Sequence, residues 1–304
     1  MRTLSTSTTA KLFATGFTVG PIVDSLHNQC LLRYDVLPIS LGWPLGLHQD
    51  QKAIADISGM SASDFIGSST IDSYPYFFSS SWTVPPLLGF AYVVLGGLLP
   101  RIVEWILASI PNKDSQENFE STSLSLSSQQ LRTRALLAVA STAMIIKLSE
   151  FLETHPGIFD NVQLLQNDVQ PASLSLLVMI VATISQWALL DGSIVALLVA
   201  TVTAIGGPLA ELPFVGHGVW TYIEDAADYF PLRNLLPHEI GSAVSIDSNT
   251  VLLQIAQVLF GTGDFQALAL SSITGPCYFA VAMDAIALGR WFDTSKSSSS
   301  SSLP

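Results

Sequence analysis

The sequence predicts an all-α integral membrane bundle of six transmembrane helices. Hydrophobic residues make up 49% of the chain and charged residues 12%, against roughly 25% charged in ordinary soluble domains. Mean hydropathy is +0.47, too apolar to build a surface that faces water. Several stretches reach the roughly 20 mostly apolar residues needed to cross hydrocarbon. The 304 residues have room for about six such spans and their loops, which predicts one membrane domain, 1–304, without a second globular unit.

The first span, 10–32, is imperfect: Gly20-Pro21 interrupts it, and Asp24 and His27 lie near its far end, so a kink is expected. Residues 33–75 read as a long loop. The second span, 76–108, is strong and holds Trp82, Pro85, Pro86, Gly96 and Gly97; proline is tolerated in a membrane helix where neighbours satisfy the freed carbonyls. The segment 111–131 turns polar and Ser-rich and reads as a disordered cytoplasmic loop. The third span, 133–153, ends in Lys147, Glu150 and Glu153, with an i,i+3 pair available to Lys147 and Glu150. The fourth and fifth, 171–190 and 193–220, are joined by the tight Asp191-Gly192 turn and must be antiparallel neighbours. An enlarged acidic loop, 221–265, contains a segment, 250–260, too short to cross, which is expected to lie on the membrane or pack on the bundle. The sixth span, 266–289, is closed by Arg290 and a disordered Ser-rich tail, 292–304.

Lys and Arg fix the orientation, because they accumulate in cytoplasmic flanks. With both termini cytoplasmic, Arg2, Lys11, Arg101, Lys113, Arg132, Arg134, Arg290 and Lys296 fall inside, whereas Arg33, Lys52 and Arg233 lie outside. The net charge of −12 arises mainly from loop carboxylates on the other face. No basic patch suits nucleic acid. Cys30 and Cys277 are too far apart in sequence to suggest a disulfide framework.

Charged groups at membrane depth cost at least roughly 2.5 kcal/mol each, so Asp24, Glu104, Lys147, Glu150, Glu211 and Asp284 require explanation. Glu104 and Lys147 sit near span ends and can snorkel. Asp24 with His27 reads as a hydrogen-bonded helix end or as a proton relay or metal pair, although two ligands without a third make a weak metal signal. Glu211 follows Gly-Gly-Pro-Leu-Ala (206–210), where a loosened helix leaves carbonyls for partners. It reads equally as a ligand contact or as a kink residue hydrogen-bonded at depth, and Asp284 is similar. No serine-hydrolase elbow, zinc-binding H-E-x-x-H or Walker sequence occurs, so no catalytic set, metal or cofactor is expected.

Particular residues resemble a known family. SSSWTVPP (79–86), LLPRI (98–102), KLSEF (147–151), DNVQL (160–164), WALLDGS (187–193), GHGVWTY (216–222) and YFAVAMDAIALGRW (278–291) are similar, in order along the chain, to segments of the insulin-induced-gene (Insig) proteins. The resemblance implies a six-span, non-enzymatic endoplasmic reticulum membrane protein of sterol homeostasis. It also implies an oxysterol or other membrane lipid bound within the bundle, and sterol-sensing membrane partners of the SCAP and HMG-CoA reductase type. Asp191 matches the carboxylate of the family's partner-binding turn, alongside a reading as a helix cap. Trp187 matches a pocket tryptophan, alongside a reading as an aromatic-belt residue. Gln163 and Gln170 both resemble the pocket glutamine, and Trp82 and Glu211 complete the expected ligand-binding set. The chain departs from the family pattern in Gly192-Ser193, where the family turn is basic, and in its longer last loop, where either Asp228 or Asp264 matches the acidic residue before the last span. A small multi-span transporter of an apolar or ionic solute is the alternative, motivated by broken spans and buried carboxylates.

Overall fold

The first predicted span is two helices. Helix α1 (Thr6–Thr18) is capped by Ser5, whose hydroxyl accepts the Thr8 N–H at 3.2 Å. Helix α2 (Gly20–Leu31) carries Pro21 in its first turn. Proline lacks the N–H that would extend the preceding ladder but suits a helix start, so Val19 is the joint between the two. The computed structural model describes residues 3–42, 46–47, 78–110, 127–159, 171–223, 226–231, 257–261 and 268–294.

The described residues are mostly helical, but not wholly as the sequence predicts. Five short strands flank the helices: β1 (Leu32–Tyr34), β2 (Pro38–Gly42), β3 (Gly46–Leu47), β4 (Phe78–Ser81) and β5 (Trp220–Tyr222). β2 lies between β3 and β4, antiparallel to both, and β1 pairs antiparallel with β5. Loop and span ends in the sequence reading are therefore β structure at 38–42, 78–81 and 220–222. The second helical segment begins at Val84, not 76, with Pro85 and Pro86 in its first turn. It comprises α3 (Val84–Val93), a π-helical turn (Val94–Leu98) and α4 (Leu99–Ala108).

Helix α5 (Ser128–Thr154) opens with a capping box: Ser127 accepts the Gln130 N–H at 3.3 Å, and the Gln130 side chain accepts the Ser127 N–H at 2.9 Å. This helix starts inside the segment expected to be loop. Lys147 and Glu150 form the expected i,i+3 ion pair. Helix α6 (Pro171–Leu190) precedes α7 (Ile194–Gly216), which runs unbroken through Pro208 and Pro213. It stops at Gly216 rather than at 220, because Gly218 adopts φ +66° and the Val219 N–H returns to the Phe214 carbonyl at 2.8 Å. Residues 257–260 are helical and bring the Phe260 carbonyl against Gly216. Helix α8 (Thr274–Thr294) starts later than expected and ends within the segment read as tail.

Among the described residues, four helical segments are long and apolar enough to cross a membrane: Val84–Ala108, Ser128–Thr154, Ala172–Leu190 and Ile194–Gly216. Only 28–39% of their apolar windows is buried by protein, and the exposed remainder includes Phe90, Ile106, Met144, Val181, Val202 and Ile205. Such faces require lipid. Helix α8 is different: it packs on α1, the π turn, α5, α6 and α7 and buries Cys277, Phe279, Ala280, Ala282, Met283, Ala285, Ile286 and Leu288. It is the central post of the fold.

Candidate functional site

The strand pair β1–β5 builds one end of the site. Its register sets Leu32 opposite Tyr222 and Tyr34 opposite Trp220, and side chains alternate across a strand. Both strands are buried, exposed, buried in sequence, so Leu32, Tyr34, Trp220 and Tyr222 all turn inward. Tyr34 meets Trp220 edge to face at 6.3 Å, and Trp220 stacks on Phe214 at 4.8 Å.

Each inward tyrosine reaches a carboxylate on a helix. Asp24 and Asn28 are one turn apart on α2 and share a face; Asp24 Oδ2 accepts from Asn28 Nδ2 at 2.6 Å and from the Tyr34 hydroxyl at 2.8 Å. On α7, Glu211 Oε2 accepts from Tyr222 at 2.6 Å and Oε1 from Tyr278 at 2.7 Å. Burial first, then the neighbouring carboxylate, pushes the Tyr34 and Tyr222 phenols well above their ordinary range, so both are donors at neutral pH. Tyr278 reaches Glu211 because Gly207, one turn earlier on the same face, has no side chain: a Cβ there would lie 2.4 Å from the Tyr278 ring. The carbonyl of Ala204, which Pro208 deprives of its helical partner, lies beside Gly275 of α8.

These groups surround a cavity of about 780 Å³, its open side included, between α2, α3, α7 and α8. Val23, Leu87, Leu88, Ile146 and Val281 line its apolar part, and Asp24, Tyr34, Glu211, Trp220, Tyr222 and Tyr278 its polar part. Tyr92 also lines it and, behind the wall, donates to Asp284 Oδ2 at 3.2 Å. Asp284 is 0% exposed. Near it, Gln186 donates to Ser141 at 2.9 Å and Thr142 at 3.0 Å, and Thr142 donates to the Ala280 carbonyl at 2.9 Å. This buried polar seam ties α5, α6 and α8 together.

The expected site residues are dispersed. Of Trp82, Gln163, Gln170, Trp187 and Glu211, Glu211 lines the cavity. Trp82 is 67% exposed at the start of the second helical segment, outside the cavity wall. Trp187 lies at the α6–α7 turn, where its indole N–H donates to the Ser193 carbonyl at 2.9 Å. Gln163 and Gln170 lie outside the described residues, as do Asp264 and the side chain of His27. No group of three or more metal-binding side chains occurs among the described residues. Asp228 accepts from the Ser272 N–H at 2.7 Å and its hydroxyl at 2.6 Å, bracing the entry to α8. Tyr34, Asn28, Trp220, Tyr222 and Tyr278 were absent from the expected set. Their carboxylate partners lie 4 to 67 residues away in sequence, so no local pattern marks them.

Asp191 is a brace within its turn. It pairs with Arg290 of α8 and accepts the Ser193 N–H at 2.9 Å, and Arg290 also reaches the Ser193 hydroxyl at 3.1 Å. The cap of α7 is Ser193, which accepts the Ala196 N–H at 3.2 Å, so the helix-capping alternative belongs to Ser193 rather than Asp191. Gly192, at φ +67°, makes the reversal.

No protein-family model matches the sequence, nor does any curated protein. Among solved structures, the chain is similar to the mycobacterial Insig homologue MvINS from Mycobacterium vanbaalenii: identity is 16%, TM-score 0.52, with 97% of this chain and 98% of that one covered. A cross-linked trimer of the same protein gives TM-score 0.51 with the same identity and coverage. A membrane-spanning helical chain arranged about a central last helix, matched from end to end by these structures, has the Insig fold.

Proposed function

We propose that this protein is an Insig-type regulator of the endoplasmic reticulum membrane that binds an oxysterol or related lipid within its bundle. In this reading α1 with α2 and α8 complete a six-span topology with both termini cytoplasmic, and the protein is not an enzyme. The observation that carries it is the cavity: an apolar trough between helices with hydrogen-bonding groups gathered in one part, the division of labour that orients an amphiphile. The α6–α7 turn is the docking element for a sterol-sensing partner of the SCAP or HMG-CoA reductase type. Because Asp191 is held by Arg290, its part there is to fix the shape of the turn. Lipid binding changes partner affinity to the extent that the lipid prefers one helix arrangement.

Photo-crosslinking of the purified protein with a clickable oxysterol, competed by unlabelled lipid, tests the reading. Saturable labelling of peptides containing Glu211 or Tyr278, reduced in Glu211→Ala, is the expected outcome. Labelling that never saturates, or that is confined to the lipid-facing helix surfaces, refutes a sterol site in the bundle.

A further inference from the structure

The cavity is more selective than an apolar trough needs to be. Two carboxylates, Asp24 and Glu211, line it, and the donors they receive are neutral: one amide and three phenols. Among the described residues no Lys, Arg or His side chain lines it. The cavity wall therefore sets two carboxyl groups against neutral donors alone among the described residues, and a buried carboxyl group that ionises calls for a cationic partner.

The aromatic groups point the same way. Tyr34, Tyr92, Trp220, Tyr222 and Tyr278 all line the cavity, and rings beside carboxylates are the environment that attracts an ammonium group. Trp220 adds a separate requirement. It is 5% exposed, and its indole N–H, turned toward the Glu211 carboxyl group, makes no hydrogen bond of normal geometry among the described residues. A buried indole donor normally has an acceptor. An ammonium group offers none, whereas a hydroxyl accepts as well as donates.

We propose that the cavity takes an amphiphile whose head is a protonated amine with a neighbouring hydroxyl. The ammonium group sits at Asp24 and Glu211, the hydroxyl accepts from Trp220, and the chain lies along Val23, Leu87, Leu88 and Val281. Fatty acids and anionic phospholipids are rejected by the same carboxylates. This rests on the reading of the cavity as a lipid site and narrows the head group.

The test uses the full chain in phosphatidylcholine nanodiscs, titrated with sphingosine as the long-chain amino alcohol, with its N-acetyl derivative, with oleate and with an oxysterol. Thermal midpoint and tryptophan fluorescence are the readouts. Sphingosine is expected to bind about tenfold or more tightly than the uncharged N-acetyl derivative, with oleate not binding. Glu211→Gln and Asp24→Asn, which keep shape and remove charge, are expected to erase most of that preference, and Trp220→Phe to weaken both ligands. Equal binding of the amine and its N-acetyl derivative by the native protein overturns the proposal, whatever the variants do. Saturable oxysterol binding without amine binding overturns it while leaving the lipid-site reading intact, and saturable binding of none of the probes overturns both.

Discussion

Helix α8 crosses the π turn in close backbone contact at Gly96 and Gly289, and the crossing yields a calculable perturbation. A Cβ on Gly289 would lie 2.0 Å from the Gly96 carbonyl oxygen, and one on Gly96 would lie 2.2 Å from the Ala285 carbonyl oxygen. Carbon and oxygen in ordinary contact stand about 3.3–3.6 Å apart, so Gly289→Ala forces that contact to open by about 1.3–1.6 Å. The obstructing atoms are backbone, so no rotamer change relieves them. Overpacking of this kind costs about 1–3 kcal/mol, and alanine returns roughly 0.5–1 kcal/mol through its better helix propensity. Gly289→Ala is therefore expected to destabilise the protein by up to about 2.5 kcal/mol, measured by reversible SDS titration in mixed micelles followed by circular dichroism. Gly206→Ala is the control: nothing lies within 4 Å of its Cβ, so stability should stay level or rise by up to about 1 kcal/mol. The double variant Gly96→Ala/Gly289→Ala should lose less than the sum of the single variants, since one separation relieves both clashes. Gly289→Ala stabilised as much as Gly206→Ala refutes the close crossing.

Three further perturbations probe the cavity and the turn. Gly207→Ala pushes the Tyr278 ring off Glu211 and should weaken cavity-ligand affinity as much as Tyr278→Phe does; binding isotherms that differ between the two variants would separate the contacts. Tyr34→Phe deletes one of two donors to Asp24 Oδ2 and should cost about 1–3 kcal/mol of stability, read by the same SDS titration. Asp191→Asn and Arg290→Gln, taken as a double-mutant cycle, should show a coupling of about 1–3 kcal/mol. That figure is below the value for a wholly buried pair because the Arg290 side chain is 36% exposed against 7% for Asp191; a coupling near zero would mean the pair does not hold the turn.

How much was legible in the sequence depends on whether a feature is local. The helix at 171–190 and the Asp191-Gly192 reversal follow from a long apolar run ending at a residue pair suited to a turn, and both lie where expected. The Lys147–Glu150 pair is equally local. β1 and β5 are three residues each, too short to display alternation, and they form only because residues 32–34 and 220–222 meet across most of the chain. Glu211 attracted notice because a carboxylate after Gly-Gly-Pro is anomalous in an apolar run. Tyr278 did not, since a tyrosine in such a run looks like core, and its partnership with Glu211 depends on space left by Gly207 on another helix. Trp187 had two sequence readings, pocket and membrane belt, because its N–H partner is a backbone carbonyl six residues on, which no side-chain pattern announces.

Helix α8 links the cavity to the turn, and its contacts define what a ligand has to change to be felt there. Tyr278, near its start, holds Glu211 in the cavity. One and a half turns on, Asp284 receives the hydroxyl of the cavity-lining Tyr92, and Gly289 crosses Gly96 of the π turn. Arg290 follows with its hold on Asp191 and Ser193. Asp293 then pairs with Arg101 and accepts from Thr8 at 2.8 Å, fastening α4 and α1 to the same end. A ligand that displaces Tyr278 or Tyr92 acts on a helix whose other end sets the geometry of the α6–α7 turn. Close-packed backbone at Gly96 and Gly289 does not deform gradually, so α8 must move as a body or stay. The π turn supplies the complementary element, since an i+5 bulge can revert locally without breaking the helix around it. Coupling from cavity to turn therefore requires two discrete positions of α8 relative to that bulge, and a ligand that binds both equally well leaves the turn, and any partner docked there, unaffected.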